Sequence, residues 1–325
     1  MRYLASHFRW TAGIFVGVLA LLPARAELGV PNRVLITDDG RGPIWWSPDG
    51  TKIAFQSDRD GDGLSEFYVA DADGTNVREN IPGETLRWML NFSPDGTQIL
   101  LYDVGDSDND NDFDIYVQDV DEPASVRKNL TQNPAFDFAA IWSPDGTKIA
   151  FESTRDGNVD IYVMDSDGTN LQNLTQNPTS DVAATWSPDG TKIAFQSDRD
   201  RVGGRWDIWI VDSDGTNPQN LTQNPVIDDM YPTWSPDGTR IAFQSSREGL
   251  SIRDSDIWIM DADGTNPQNL TQTSGIGDTR PVWSPDGTRI AFQSDDDAIW
   301  VLELEAVSTG VAPATWGTVK RTVFE

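Results

Sequence analysis

Apolar and polar positions alternate along most of this chain in runs of four to six residues, each bounded by Gly, Pro, Asp or Asn. That two-residue period is the mark of strands, and the punctuating residues are those that turn a chain back on itself. The pattern also repeats. Ser-Pro-Asp-Gly occurs six times, starting at Ser47, Ser93, Ser143, Ser187, Ser235 and Ser284, at intervals of 46, 50, 44, 48 and 49 residues. Intervals of that size match a four-stranded β-propeller blade, so six copies predict an all-β, six-bladed propeller.

Each copy resolves into four short strands. The first ends in an aromatic residue, Trp46, Phe92, Trp142, Trp186, Trp234 or Trp283. In the turn that follows, Pro presets φ and Gly takes a positive φ. A second strand comes at once, as in Lys148–Ser153, and a polar loop leads to a third with apolar triplets such as Ile161-Tyr162-Val163. A DADG or DSDG turn then introduces the fourth, seen in Asn173-Leu174-Thr175; aspartate-glycine turns between alternating strands signal hairpins. The sixth copy stops after its third strand, near Leu304, whereas Arg33–Thr37 has the fourth-strand pattern with no blade ahead of it. The N-terminal strand is therefore expected to complete blade six and close the ring, removing exposed sheet edges.

The composite WSPDGTKIAF…SDRDG…DIYVMDADGTN…LT resembles the TolB-like propeller repeats, relatives of the WD-repeat blades, and the resemblance covers about Arg33 to Leu304. It implies the propeller fold, a scaffold that carries many different sites. TolB proper carries an α/β domain ahead of its propeller, and none is expected here, because only Glu27–Asn32 separates a leader from the closing strand.

That leader occupies residues 1–26: Arg2 and Arg9, an apolar run from Thr11 to Leu22, then Ala24-Arg25-Ala26 as a cleavage site. The apolar run is too short to span a bilayer, so a cleaved signal peptide and a periplasmic or secreted protein are expected, with a propeller over 27–305 and an appended tail over 306–325. Cleavage removes three arginines and no acid, taking the formal charge from −28 to −31. Nucleic acid is thereby excluded as a partner, and no membrane span is expected. The chain has no cysteine, and its one histidine, His7, lies in the leader. Disulfides, zinc sites and Ser-His or Cys-His nucleophiles are thus ruled out.

Chain direction places the SPDG and DADG turns on one face. The loops from strand two to three and those leading into each blade lie on the other, which is the more variable and acidic and is the expected binding face. Two groups of residues there could carry chemistry. Five positions before each strand-one aromatic stand Arg41, Arg87, Asp137, Asp181, Asp229 and Asp278, a ring that could orient a polar ligand at the channel mouth or cap local loops. Between strands two and three, blade one offers Asp58, Asp60, Asp62 and Glu66, and blade two offers Asp106, Asp108, Asp110, Asp112 and Asp114 in strict alternation. Hard cations such as calcium take several converging oxygens, which alternating acids can supply. An EF-hand is excluded, because the twelfth position from Asp58 is Val69 and no helices flank the loop.

In blades three to five the corresponding loops suggest Arg–Asp pairs, Arg155 with Asp160, Arg199 with Asp207 and Arg247 with Asp256. The triplets at Asn129, Asn173, Asn220 and Asn269 match a glycosylation acceptor but recur at the blade period, which makes them fourth strands. Trp88, Phe136, Phe138, Met230 and Tyr231 precede or open the first strands, where they could grip a ligand or pack over the blade.

The expected function is that of a monomeric, non-catalytic exported propeller. It binds a protein or glycan partner at the acidic loop face, with calcium as a candidate cofactor. The alternative is a carboxylate-dependent hydrolase or lyase acting on a polysaccharide or peptide. No pair of acids stands out for that work, and no G-x-S-x-G elbow is present.

Overall fold

The computed structural model describes residues 33–38, 41–47, 49–58, 66–79, 89–104, 113–119, 127–199, 205–224, 226–246, 254–273, 277–294 and 298–304. The leader and the tail lie outside them. Within this set twenty-four strands form six four-stranded antiparallel sheets.

After β1 (Arg33–Thr37), blade one comprises β2 (Arg41–Trp46), β3 (Lys52–Ser57), β4 (Glu66–Asp71) and β5 (Arg78–Glu79). Blade two is β6 (Met89–Phe92), β7 (Gln98–Val104), β8 (Phe113–Asp119) and β9 (Arg127–Asn129), and blade three is β10 (Asp137–Trp142), β11 (Lys148–Ser153), β12 (Asp160–Asp165) and β13 (Gln172–Asn173). Blade four follows with β14 (Asp181–Trp186), β15 (Lys192–Ser197), β16 (Asp207–Asp212) and β17 (Gln219–Asn220). Blade five has β18 (Asp229–Trp234), β19 (Arg240–Ser245), β20 (Asp256–Asp261) and β21 (Gln268–Asn269), and blade six has β22 (Asp278–Trp283), β23 (Arg289–Ser294) and β24 (Ile299–Glu303). The sixth sheet runs β1-β24-β23-β22, with Val34 opposite Val301 and Leu35 opposite Trp300. The N-terminal strand thus closes the ring.

The turns explain many of the aspartates. In blade three Asp145 Oδ1 accepts from Ser143 Oγ at 2.6 Å, Thr147 N at 3.0 Å and Thr147 Oγ1 at 2.9 Å, while Gly146 N donates to Ser143 O at φ +69°. In the next turn Asp167 accepts from the Thr169 amide and hydroxyl, and Asp165 pairs with Lys148 Nζ at 2.8 Å. The hydroxyl of the turn serine and the turn threonine hold the Asp49 and Asp286 carboxyls at about 2, well below the ordinary range. Much of the negative charge is therefore turn chemistry, the first turn occurring six times and the second four.

The core lies between blades. In five of the six blades the second strand carries a phenylalanine, Phe55, Phe151, Phe195, Phe243 or Phe292, with no exposure. One cluster joins Ala150, Ile161 and Val163 of blade three to Trp186, Phe195 and Trp209 of blade four. Another joins Ile36, Ile44 and Phe55 to Ala291, Ile299 and Val301, so the closing interface is as apolar as the rest. Burial between neighbours is what makes a single blade unstable alone and the ring cooperative.

Candidate functional site

Asp137, Asp181, Asp229 and Asp278 each open the innermost strand of a blade, at the end facing the strand-two to strand-three loops. All four are fully buried. Asp137 Oδ2 lies 2.8 Å from Arg155 Nη2, and Asp181 Oδ2 lies 2.8 Å from Arg199 Nη2. Asp278 accepts from Ser294 Oγ at 2.9 Å and Thr273 Oγ1 at 3.1 Å. Burial holds the Asp137 and Asp181 carboxyls above the ordinary range, against the smaller downward pull of the adjacent arginines and serines. The four aspartates expected at the channel mouth thus stand at equivalent positions, but they are buried, and Asp137, Asp181 and Asp278 are held by neighbouring side chains. Contact with a ligand requires undoing that burial. Arg41 contributes its backbone to β2, opposite Gln56; its side chain and all of Arg87 lie outside the described residues.

Arg155 and Arg199 therefore take partners other than Asp160 and Asp207, which the sequence suggested. Those two acids are already occupied. Asp160 accepts from Asn173 Nδ2 at 2.8 Å and Thr175 Oγ1 at 3.2 Å; Asp207 accepts from Asn220 Nδ2 at 3.0 Å and Thr222 Oγ1 at 2.9 Å. Asp256 is held likewise by Asn269 at 2.7 Å and Thr271 at 3.1 Å. The Asn-Leu-Thr triplet is a clamp that fastens the outermost strand to the first residue of the third. Its asparagine amide points inward to a carboxylate.

Blade two uses the same clamp. Asp114, counted above among the metal ligands, is buried and accepts from Asn129 Nδ2 at 2.7 Å, Thr131 Oγ1 at 2.9 Å and Asn133 N at 3.3 Å. Three donors on one carboxylate commit it to the blade and leave it a poor fit to a metal. Asp58 is partly buried and already engaged, and the Glu66 side chain, Asp60, Asp62, Asp106, Asp108, Asp110 and Asp112 lie outside the described residues. Among the described residues no three acids are grouped so as to hold a metal.

A feature the sequence reading passed over is a hook between blades. In every described inner strand from blade three to six a bulge interrupts the register, with the residue after its first partner at positive φ: Ala139 at +52°, Ala183 at +56°, Tyr231 at +52° and Arg280 at +53°. In blades four and five the bulge amide is held by the preceding blade: Ala183 N donates to Glu152 Oε1 at 2.7 Å, and Tyr231 N donates to Gln196 Oε1 at 2.9 Å. Glu152 is 5% exposed, and burial pushes its carboxyl up to about 8. The signal was legible: Glu152 is the one acid at a position that is Gln56, Gln196, Gln244 and Gln293 in four other repeats and Tyr102 in blade two. Because Gln196 makes the same bond, the hook itself does not require an acid.

Above that junction the loop face carries an aromatic cluster. Tyr102 and Phe113 meet edge-on with ring centroids 5.6 Å apart, and Phe113 lies 5.9 Å from Phe136, which is 45% exposed. Phe136 is pinned through its backbone to Thr154, its amide donating to Thr154 Oγ1 at 3.0 Å and its carbonyl accepting from Thr154 N at 3.1 Å. A large apolar ring is thereby presented to solvent on an anchored backbone.

Comparison with known proteins bears on this geometry. The chain is 31% identical over 120 residues to a protein TolB homolog of Chlorobium luteolum; the match covers 37% of this chain and 25% of that protein. The solved structure of a putative TolB from Agrobacterium tumefaciens superposes with a TM-score of 0.60 at 26% identity, over 85% of this chain and 98% of that one. An oligogalacturonate lyase from Vibrio parahaemolyticus shares the fold, with a TM-score of 0.56 at 13% identity, over 82% and 77% of the two chains. A TolB protein and a lyase thus share one scaffold, and fold alone does not assign a function to this chain. The profile of the TolB β-propeller domain matches residues 63–204 and 232–316, well over half of the sequence, and the chain belongs to the TolB β-propeller family.

Proposed function

We propose that this chain is a non-catalytic exported propeller that binds a protein partner through the face bearing the strand-two to strand-three loops. The observation that carries the reading is Phe136: a ring on an anchored backbone, 45% exposed, seated on Phe113 and Tyr102. Desolvated aromatic anchors of this kind dominate protein interfaces, and β-propellers with variable loops commonly bind on one face. The likeness to a TolB homolog supports a protein over a glycan. The sequence-derived leader supports a periplasmic or secreted location, and calcium held by the alternating aspartates of residues 106–112 is part of the same proposal.

The test is capture by cross-linking from the exporting cell, comparing the mature protein with Phe136→Asp on this face and Lys148→Glu beside the turns on the other. Loss of the captured partner with Phe136→Asp alone is expected. Equal loss from both folded variants, or none from Phe136→Asp, overturns the assignment of the face.

A further inference from the structure

The bulge that recurs in the inner strands is strained in the same way each time, and its occupants divide by blade. Positive φ is unfavourable for residues with a side chain, the more so for bulky ones. Blades three and four place Ala139 and Ala183 there, whereas blades five and six place Tyr231 and Arg280. The inner strands β18 and β22 pack against each other, and Arg280 Cζ lies 5.2 Å from the centroid of the Tyr231 ring. The unpaired edge of an innermost strand faces the propeller axis. Both residues stand two positions beyond the buried aspartates that open their strands, Asp229 and Asp278, near the loop-face end of the channel. Both are partly exposed, and the Tyr231 amide is tied to Gln196.

Arg280 is also unusual in its chemistry. Arg155 and Arg199 are matched to carboxylates at 2.8 Å, but among the described residues no carboxylate pairs with Arg280 and no acceptor takes a hydrogen bond from it. A ring contact stabilises the charge yet leaves the guanidinium donors unused. In a chain with a formal charge of −28, a partly buried arginine outside any ion pair among the described residues is an uncommon cationic site.

We propose that Arg280, stacked on Tyr231, is a receptor for the C-terminal carboxylate of a partner peptide chain entering the channel from the loop face. This rests on the binding-face reading and specifies the group that is recognised. The planar fork of a guanidinium matches a carboxylate in a two-point hydrogen bond. A singly charged carboxylate is repelled less by the acidic surface than a doubly charged phosphoryl group. A chain end suits a channel because it enters end-on, with the residue before it against the Tyr231 ring.

The experiment is ligand-observed NMR titration of the whole protein with three probes. These are N-acetylglycylglycine with a free carboxylate, the same dipeptide as its C-terminal amide, and N-acetylaspartate α-amide, which offers only a side-chain carboxylate. The free acid is expected to bind at least tenfold more tightly than the amide and more tightly than the aspartate probe, and Arg280→Gln is expected to weaken it at least tenfold, with Arg280→Lys between. Equal binding of acid and amide by the unaltered protein overturns the proposal, whatever the folding of the variants. So does equal binding of the two carboxylate probes, or an Arg280→Gln protein that binds the acid unchanged. Probe binding without a cross-linked partner retains this site and removes the binding-face reading; a Phe136-dependent partner with no probe binding does the reverse.

Discussion

The guanidinium of Arg199 reaches 2.8 Å from a carboxylate oxygen of Asp181 that has no solvent exposure, and the same side chain lies over the Trp209 ring at 4.6 Å. One residue thus ties the innermost strand of blade four to its third, and Arg155 does the same in blade three with Asp137 and Tyr162. Removing one member of a buried pair leaves an uncompensated charge, which typically costs roughly 3–5 kcal/mol. Arg199→Ala is therefore expected to lower the urea midpoint strongly, and the double variant Arg199→Ala, Asp181→Ala to recover part of the loss. A single variant within about 1 kcal/mol of the parent contradicts the pairing.

Glu152 gives stability a particular pH dependence. Its carboxyl is pushed from 4.5 up to about 8 by burial. Between those values the folded chain keeps a proton that the unfolded chain has released, so the contribution of Glu152 to stability falls as pH rises across that window. Glu152→Gln supplies the acceptor that Gln196 already supplies to Tyr231. It is expected to raise the melting temperature at pH 8 by several degrees, at roughly 2–4 °C per kcal/mol, and to change it little at pH 4. Thermal scans across pH check this; an equal shift at both ends removes burial of the charged form as the cause.

Ring closure can be probed without cutting the chain. Gly74 has φ +80°, and a Cβ there meets Leu35 O of the closing strand at 2.3 Å, whereas Gly157 has φ +98° and nothing within 4 Å. Left-handed backbone costs an alanine roughly 1–2 kcal/mol at either position. Gly74→Ala is expected to be clearly the more destabilising, because it also displaces β1 from its seat against blade one. Denaturant titration of the two variants measures the difference, and equal losses show that β1 yields freely.

Calcium binding by the blade-two loop is tested by melting temperature in millimolar calcium against chelator, with sodium at matched ionic strength as the control. Mass action stabilises by about 2.7 kcal/mol at a hundredfold excess over the dissociation constant. The calcium-specific rise is expected to shrink in Asp108→Asn, Asp110→Asn, Asp112→Asn and to persist in Asp58→Asn. An identical rise in sodium assigns the effect to charge screening.

By itself the sequence determined the number of blades, the strand order, the turns and the closing strand. These depend on local physics: Asp145 acts on residues two positions either side, and strand identity is written in a two-residue period. What only the tertiary structure decided was which charged groups meet. Arg155 is five residues from Asp160 and eighteen from Asp137, yet it pairs with the distant acid because the near one is filled by Asn173 and Thr175. Glu152 reaches Ala183 across 31 residues, and Arg280 meets Tyr231 across a blade boundary. The first of these contacts depends on the pairing of β10 with β11 inside one blade, and the other two on the rotation between neighbouring sheets, which brings successive repeats together and which no single repeat encodes.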